Sequence, residues 1–140
     1  MRVFLDTNVL LDVLSEREPF WRPAARVWSL AESGRLEAFV SAISYNNCFY
    51  IVRKHVGQAR AYEALRILRD VFRPVPLTEQ VLHQALDGGF SDFEDAIQYF
   101  SALQARAEVL LTRNPDDYPK PALSVLSPIE FLAVHPQLAE

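Results

Sequence analysis

The chain of 140 residues has room for one hydrophobic core, so we expect a single domain over residues 1–140. Its one cysteine, Cys48, excludes an internal disulfide and a zinc cluster built from cysteines. The formal net charge of −4 argues against broad, non-specific adhesion to nucleic acid. It leaves open a site that works through bound cations, because such a site is itself acidic.

The chain passes from Met1 and Arg2 directly into a short apolar run that ends at Asp6. This start lacks the long apolar stretch of a signal peptide or a membrane span. Together with the single cysteine, it predicts a cytoplasmic protein in a reducing compartment that makes no contact with a membrane.

Short runs rich in β-forming residues alternate with longer helical patterns along the whole chain. The alternation predicts an α/β fold, a three-layer α/β/α sandwich of the Rossmann-like kind around a mainly parallel sheet of four or five strands. The predicted strands cover residues 3–5, 38–40, 75–77, 109–111 and 123–126, the third being an edge strand because Pro74 and Pro76 flank it. The predicted helices cover residues 9–14, 23–33, 45–54, 60–72 and 79–86, followed by helices that open at Ser91 and Ser127.

Three of the predicted helices have a recognisable N-terminal cap. Ser44 is the expected N-cap of the helix over residues 45–54. Ser91 with Glu94, and Ser127 with Glu130, have the spacing of a capping box.

Four polar patches, at residues 6–8, 44–47, 91–95 and 112–117, open or close the apolar segments. In a parallel sheet with crossover helices, the carboxyl ends of the strands and the N-termini of the helices meet at one edge, where open α/β sheets bind ligands. Asp92 and Asp95 also share one face of their helix, because they are three residues apart. We therefore expect the four patches to form one cluster, with Asp6, Asn47, Asp92, Asp95 and residues 114–117 in it.

Three or four carboxylates that face one cleft repel each other unless they are protonated or neutralised. Mg²⁺ or Mn²⁺ with oxygen ligands is the usual neutraliser, and such ions keep free positions for phosphate oxygens. No Cys–His nucleophile pair, Walker-type loop or dinucleotide-binding glycine motif competes for this edge. The sequence therefore predicts metal-assisted hydrolysis of phosphodiesters.

Several motifs resemble those of the PIN-domain nucleases, a family that includes the VapC-type toxins of bacterial toxin–antitoxin systems. The opening VFLDTNVLLD looks like the first motif, with Asp6 as its metal-binding acid, and FEDAIQ looks like the third, with Asp95 as the central metal ligand. LTRNPDDY resembles the last motif, in which the matching polar positions are Thr112, Asn114 and Asp117. The order and spacing of these motifs cover nearly the whole chain.

The resemblance implies a PIN-like domain that acts as an endoribonuclease with Mg²⁺ or Mn²⁺, the toxin of a type II toxin–antitoxin system. The catalytic acids would be Asp6, Asp95 and Asp117, the metal ligands would be these three with Asp92, and the supporting residues would be Asn8, Asn47, Thr112 and Asn114. The resemblance also implies an RNA substrate and a small antitoxin that inserts an Arg or Lys toward the carboxylates. It suggests a homodimer, for which the helices over residues 45–54 and 60–72 are candidate surfaces.

One position departs from the family pattern, because the usual glutamate of the second motif is Asn47 in this sequence. An amide can coordinate a metal or hold its water, but it supplies no charge. One hypothesis is an active site that binds a second ion weakly, so that activity needs millimolar metal or favours manganese. The alternative is a degenerate PIN domain that binds nucleic acid or a partner protein without cutting it.

The acidic residues also have ordinary structural interpretations. Asp92 and Asp95 can simply stabilise the start of their helix, and Asp6 can simply cap the helix that follows the first strand. Asp12 is expected to be solvated or to lie at the N-terminal end of a helix, and Asp116 to be a solvated turn residue.

Three basic residues are candidates for contacts with the phosphate backbone. Arg53 and Lys54 follow the second motif, and Arg113 lies inside the last one. Ordinary surface charge is the alternative for all three, and the residues do not distinguish RNA from DNA.

Overall fold

A five-stranded parallel sheet forms the centre of the computed structural model, which describes residues 1–119 and 122–139. The strands are β1 (Arg2–Leu5), β2 (Glu37–Ser41), β3 (Arg73–Val75), β4 (Val109–Leu111) and β5 (Ser124–Leu126), in the spatial order β3-β2-β1-β4-β5. The helices are α1 (Thr7–Leu14), α2 (Trp21–Glu32), α3 (Ala42–Val56), α4 (Gln58–Val71), α5 (Glu79–Asp87), α6 (Phe93–Gln104) and α7 (Pro128–Val134). Short 3-10 helices cover Pro115–Asp117 and Pro136–Ala139.

Strand β1 lies in the middle of the sheet and sends alternate side chains into two separate cores. Val3 and Leu5 pack in the core that contains Trp28 of α2, whereas Phe4 packs in a second core with Tyr99 of α6. Helices therefore cover both faces of the sheet, which confirms the predicted three-layer α/β/α sandwich. Within the described residues, no helix is long and apolar enough to cross a membrane.

The edge strand β3 begins two residues earlier than predicted, at Arg73 instead of Val75. Pro74 lies opposite Val40 in a parallel register, and the strand ends at Val75. The predicted edge position is confirmed, since β3 pairs with only one neighbour and can tolerate a proline that donates no hydrogen bond.

Two predicted helix starts are wrong, and the third is confirmed. Helix α3 is capped by Ser41, whose side chain accepts from the Ile43 amide, so Ser44 lies buried inside the helix. Helix α6 is capped by Asp92 rather than Ser91, because the residue with extended backbone directly before the first helical turn takes the capping role. The capping box at the start of α7 is present as predicted.

Asp12 is buried, contrary to the expectation of a solvated or N-terminal residue. It lies late in α1 with 2% of its surface exposed, and its carboxylate forms an ion pair with the Arg113 guanidinium. The Arg113 Nε also donates to Asp12 Oδ2 over 3.3 Å, and the guanidinium lies 4.3 Å from the ring centre of Phe20. These contacts bind the loop after β4 to α1.

We predict that Arg113→Gln lowers the free energy of unfolding by about 3 kcal/mol, because it leaves the buried Asp12 carboxylate without its cation. Arg22→Gln is the matched control, since Arg22 pairs with Glu18 over 2.8 Å at an exposed position. Exposed pairs contribute less than about 1 kcal/mol. Urea denaturation measures both variants, and equal losses would show that the Asp12–Arg113 pair stabilises nothing beyond an ordinary surface contact.

Candidate functional site

The predicted polar patches meet at one edge of the sheet. Asp6 directly follows β1, Asn47 lies in the second turn of α3, and Asp92 and Asp95 lie at the start of α6. Together with their neighbours they line an open cleft of about 420 Å³, whose polar side chains are Asp6, Thr7, Asn8, Asn47, Tyr50, Asp92, Glu94 and Asp95.

A second cleft adjoins the first on the other side of Asp95. It is lined by residues 88–92, by Asp95 and by Asp116 and Asp117 from the 3-10 helix after β4. Because Asp92 and Asp95 line both clefts, they stand between Asp6 on one side and Asp117 on the other. Asp116 is exposed, as predicted.

Asp6 is 5% exposed, and its carboxylate accepts hydrogen bonds from side chains and from the backbone. Its Oδ2 accepts from the Tyr118 hydroxyl over 2.6 Å and from the Thr112 hydroxyl over 3.0 Å, while Oδ1 accepts from the Asn8 amide over 3.4 Å. Burial raises the pKa of Asp6, and the bonds from Tyr118 and Thr112 oppose that rise. Asp6 is thus the N-cap of α1 and a cleft residue at the same time.

The Tyr118 hydroxyl also lies 3.3 Å from Asp95 Oδ1, so one phenol group bridges the two central acids. Burial, together with the charges of Asp6, Asp92 and Asp117, raises the pKa of Asp95 to about 6. Burial and the two adjacent carboxylates raise the pKa of Tyr118 as well, so the phenol stays protonated and donates. Tyr118 was not predicted as a site residue, because its only signal in the sequence was an aromatic side chain directly after the last motif acid.

Thr112 and Asn8 connect the loop after β4 to Asp6. Asn8 Nδ2 donates to Thr112 Oγ1 over 3.3 Å, and Asn8 Oδ1 accepts from the Arg113 amide over 3.2 Å. Asn114 contributes its backbone amide, which donates to Thr112 Oγ1 over 3.3 Å, and its side chain is exposed.

Asp92 has the structural role that the sequence allowed as an alternative. Its Oδ1 accepts from the Asp95 amide over 3.0 Å and caps α6. Its negative charge nevertheless raises the pKa of Asp95 and Glu94, so it also adds to the acidic field of the cleft.

Glu94 is a second cleft residue that was not predicted as one, because its sequence position indicated only a capping box. Its Oε1 accepts from Asn47 Nδ2 over 3.1 Å, across the cleft between α6 and α3. Burial and the charges of Asp6 and Asp92 raise the pKa of Glu94, and hydrogen bonds from Asn47 and Thr7 lower it. The signal in the sequence was the missing acid at position 47, which indicates that another acid, such as Glu94, could take its place.

A buried polar cluster lies beneath this wall of the cleft. Gln98 is fully buried, and its Nε2 donates to Thr7 Oγ1 over 3.0 Å and to Ser44 Oγ over 3.3 Å. The Thr7 and Ser44 hydroxyl oxygens are 2.7 Å apart. These bonds join α1, α3 and α6, which carry the polar residues of the cleft.

The predicted phosphate contacts lie apart from the acids. Arg53 and Lys54 are exposed in the last turn of α3, about 9 Å beyond Asn47 along the helix axis at 1.5 Å per residue. Neither lines the two acidic clefts. Arg113 is engaged by Asp12, as described above, so its guanidinium positions the loop after β4.

The acids offer only carboxylate oxygens, the ligands that Mg²⁺ and Mn²⁺ prefer. Among residues 1–119 and 122–139, no ion pair compensates Asp6, Asp92, Glu94, Asp95 or Asp117. No three His, Cys, Asp or Glu side chains of that part of the chain are already gathered around one point as a closed metal site. The donor chemistry and the surplus of negative charge fit a hard divalent cation, which would neutralise the charges that, in addition to burial, raise the pKa of Asp95.

The sequence profile described as PIN domain matches residues 2–116, most of the chain. The chain therefore belongs to the PIN-domain family, which confirms the resemblance. Ribonuclease VapC1 of Aquifex aeolicus (strain VF5) is 22% identical to it over 135 residues, which cover 93% of this chain and 92% of that protein.

Solved structures share the fold. A toxin–antitoxin complex from Klebsiella pneumoniae contains a chain with 24% identity and a TM-score of 0.67, over 90% of this chain and 97% of that one. VapBC2 from Rickettsia felis, bound to a DNA fragment from its promoter, contains a chain with 16% identity and a TM-score of 0.68, over 89% of this chain and 97% of that one. At these identities the likeness concerns the fold.

We predict that Asp95→Asn has a higher free energy of unfolding than the wild type in the absence of metal. This difference is expected to grow as the pH rises from about 4 to about 6. The pKa of Asp95 is about 6 in the folded protein and is ordinarily 3.8, so between these values the folded protein binds more protons than the unfolded chain. Stability therefore falls with rising pH across this window in the wild type, and the variant lacks this loss. Urea denaturation in EDTA at a series of pH values measures the difference.

Asp87→Asn is the control for this prediction, because Asp87 is exposed at the end of α5 and lies outside both acidic clefts. A stability difference between wild type and Asp95→Asn that stays constant over the window would contradict the charge cluster.

Proposed function

We propose that the protein is a metal-dependent endoribonuclease and the toxin of a type II toxin–antitoxin system. The observation that carries the proposal is the convergence of Asp6 and Asp95 on one hydroxyl, that of Tyr118, at the ligand-binding edge of the sheet. Membership of the PIN-domain family supports it, as does similarity to a protein named as a ribonuclease.

The proposed ligands of Mg²⁺ or Mn²⁺ are Asp6, Asp95, Asp117 and Asp92. Such a cation, when bound, supplies an activated water and neutralises the charge of a phosphodiester. The chain's own part is to hold the acids in place. Thr112 and Tyr118 occupy Oδ2 of Asp6, so Oδ1, which accepts the longer 3.4 Å bond from the Asn8 amide, is the oxygen that we assign to a ligand.

The open form of the two clefts suits an extended polynucleotide strand. Asp92 and Asp117 are exposed at the rim, so a phosphate can approach the carboxylates from solvent. We infer that Arg53 and Lys54 contact the phosphate backbone at some distance from the cut, because they lie at the far end of α3. The choice of RNA over DNA rests on the family resemblance.

Asn47 favours a second candidate function, a PIN domain that binds nucleic acid or a partner protein without cutting it. The side chain at this position brings an amide instead of a charge, which lowers the attraction for a cation. Metal-dependent cleavage separates the two candidates.

We also propose a small antitoxin as partner, since one of the similar structures is a toxin–antitoxin complex. The surplus of carboxylates in the cleft complements an inserted Arg or Lys. We further propose a homodimer through α3 and α4, which expose the apolar side chains Tyr50, Val56, Tyr62 and Ile67.

Purified protein incubated with labelled tRNA and unstructured RNA is expected to cut them in Mn²⁺ or Mg²⁺ and not in EDTA. Asp95→Asn is expected to lower the rate at least about 100-fold, the scale of losing one catalytic group. Asp87→Asn, outside both acidic clefts, is the control that should cut at the wild-type rate. Gel analysis of the products measures all three.

The opposite result has a definite meaning. If the folded wild-type protein does not cut in millimolar Mn²⁺, the binding domain without catalysis becomes the better proposal.

For the homodimer, we expect light scattering of the purified chain to give twice its mass of 16.0 kDa. Ile67→Glu should shift the mass toward that of one chain, because it puts a charge into the apolar surface of α4. Leu86→Glu changes an exposed apolar residue of α5 outside the proposed interface and should leave the dimer intact. A monomeric wild-type protein at micromolar concentration would overturn this proposal.

A further inference from the structure

Glu94 and Asn47 face each other across the cleft from two different helices. Asn47 Nδ2 donates to Glu94 Oε1 over 3.1 Å, although the two residues are 47 positions apart in the chain. Both side chains line the same cleft as Asp6 and Asp95. The residue that stands where the family has its second-motif acid is therefore in direct contact with an acid from α6.

We propose that Glu94 supplies from α6 the carboxylate that the second motif ordinarily supplies from α3, and that Asn47 orients it toward the cleft. The inference rests on the proposed metal-dependent function, which it deepens. Glu94, Asp6, Asp95 and Asp117 give the site four acids. A site with the same three aspartates and a glutamate at position 47 would have the same number. An acid at both positions would bring two carboxylates within about 3 Å, where like charges strongly disfavour joint ionisation.

An acid in the first turn of a helix can also serve only its own helix, through the positive end of the macrodipole. The position of the Glu94 side chain argues against that role alone. The α6 cap is provided by Asp92, and the Glu94 carboxylate accepts its 3.1 Å hydrogen bond from the side chain of Asn47 in α3. The carboxylate is thus directed across the cleft, away from its own helix amides.

The buried cluster beneath the cleft holds the helix that carries Asn47 against the helix that carries Glu94. Gln98 Nε2 of α6 donates to the hydroxyl oxygens of Thr7 in α1 and Ser44 in α3. The Thr7 and Ser44 hydroxyl oxygens are themselves 2.7 Å apart. Asn47 therefore orients the Glu94 carboxylate, with Gln98 supporting the spacing of the two helices from the core.

The test measures Mn²⁺ affinity without RNA, by calorimetry or by competition with a fluorescent chelator. Glu94→Gln is expected to weaken Mn²⁺ binding about tenfold, at the lower end of the effect of altering a metal site's supporting groups. The exchange variant Asn47→Glu/Glu94→Gln returns one acid to α3 and is expected to restore affinity to near the wild-type value. Glu63→Gln, which changes an exposed glutamate of α4, is the matched control and should bind as the wild type does.

Thermal unfolding of each metal-free variant shows whether it is folded before its affinity is compared. Glu94→Gln that binds Mn²⁺ as tightly as Glu63→Gln overturns the assignment of Glu94 and leaves the proposed nuclease intact. If the exchange variant binds Mn²⁺ as weakly as Glu94→Gln does, an acid at position 47 cannot replace the acid at position 94, and the proposed equivalence is wrong. A folded wild-type protein that binds no Mn²⁺ at millimolar concentration overturns the proposed metal-dependent function itself, and this inference with it.

Discussion

The hydrogen bonds to the buried Asp6 carboxylate are the constraint on which both the sheet edge and the cleft depend. A buried carboxylate is costly unless its oxygens are hydrogen-bonded. Its donors come from different parts of the chain, the Asn8 amide in α1, the Thr112 hydroxyl after β4 and the Tyr118 hydroxyl after the 3-10 helix. Satisfying this one charge therefore fixes the loop after β4 against β1, and the same loop carries Asp116 and Asp117, which line the second cleft.

The acids of the cleft lie close together, and hydrogen-bond donors between them reduce their mutual repulsion. Tyr118 shares one proton between Asp6 and Asp95, and burial together with the charges of Asp6 and Asp92 raises the pKa of Asp95 to about 6. In the same cleft an amide and an acid, Asn47 of α3 and Glu94 of α6, occupy positions that two acids could not share without repulsion. The departure of this chain from the family pattern thus has a physical counterpart in the side chain that faces it.

The loop after β4 combines structural and functional residues. Arg113 lies between Thr112, which bonds to Asp6, and Asp117, which lines the second cleft. Its guanidinium pairs with the buried Asp12 instead of facing the cleft. A basic residue inside a catalytic motif can therefore position the loop, and its sequence position alone does not identify it as a phosphate ligand.

Residues close together in the chain determined the strands, most of the helices and the motifs that identify the family, because apolar periodicity and motif spacing are local properties. Helix starts were less certain, since Ser41 and Asp92 took the capping roles expected of Ser44 and Ser91. Only the tertiary structure decided the contacts that build the cleft and hold its loop in place, because the partners lie far apart in the chain. Tyr118 is 112 positions from Asp6, Arg113 is 101 from Asp12, and Glu94 is 47 from Asn47. Such pairs form only when the sheet brings its strand ends to one edge, and no local pattern specifies which side chains then meet.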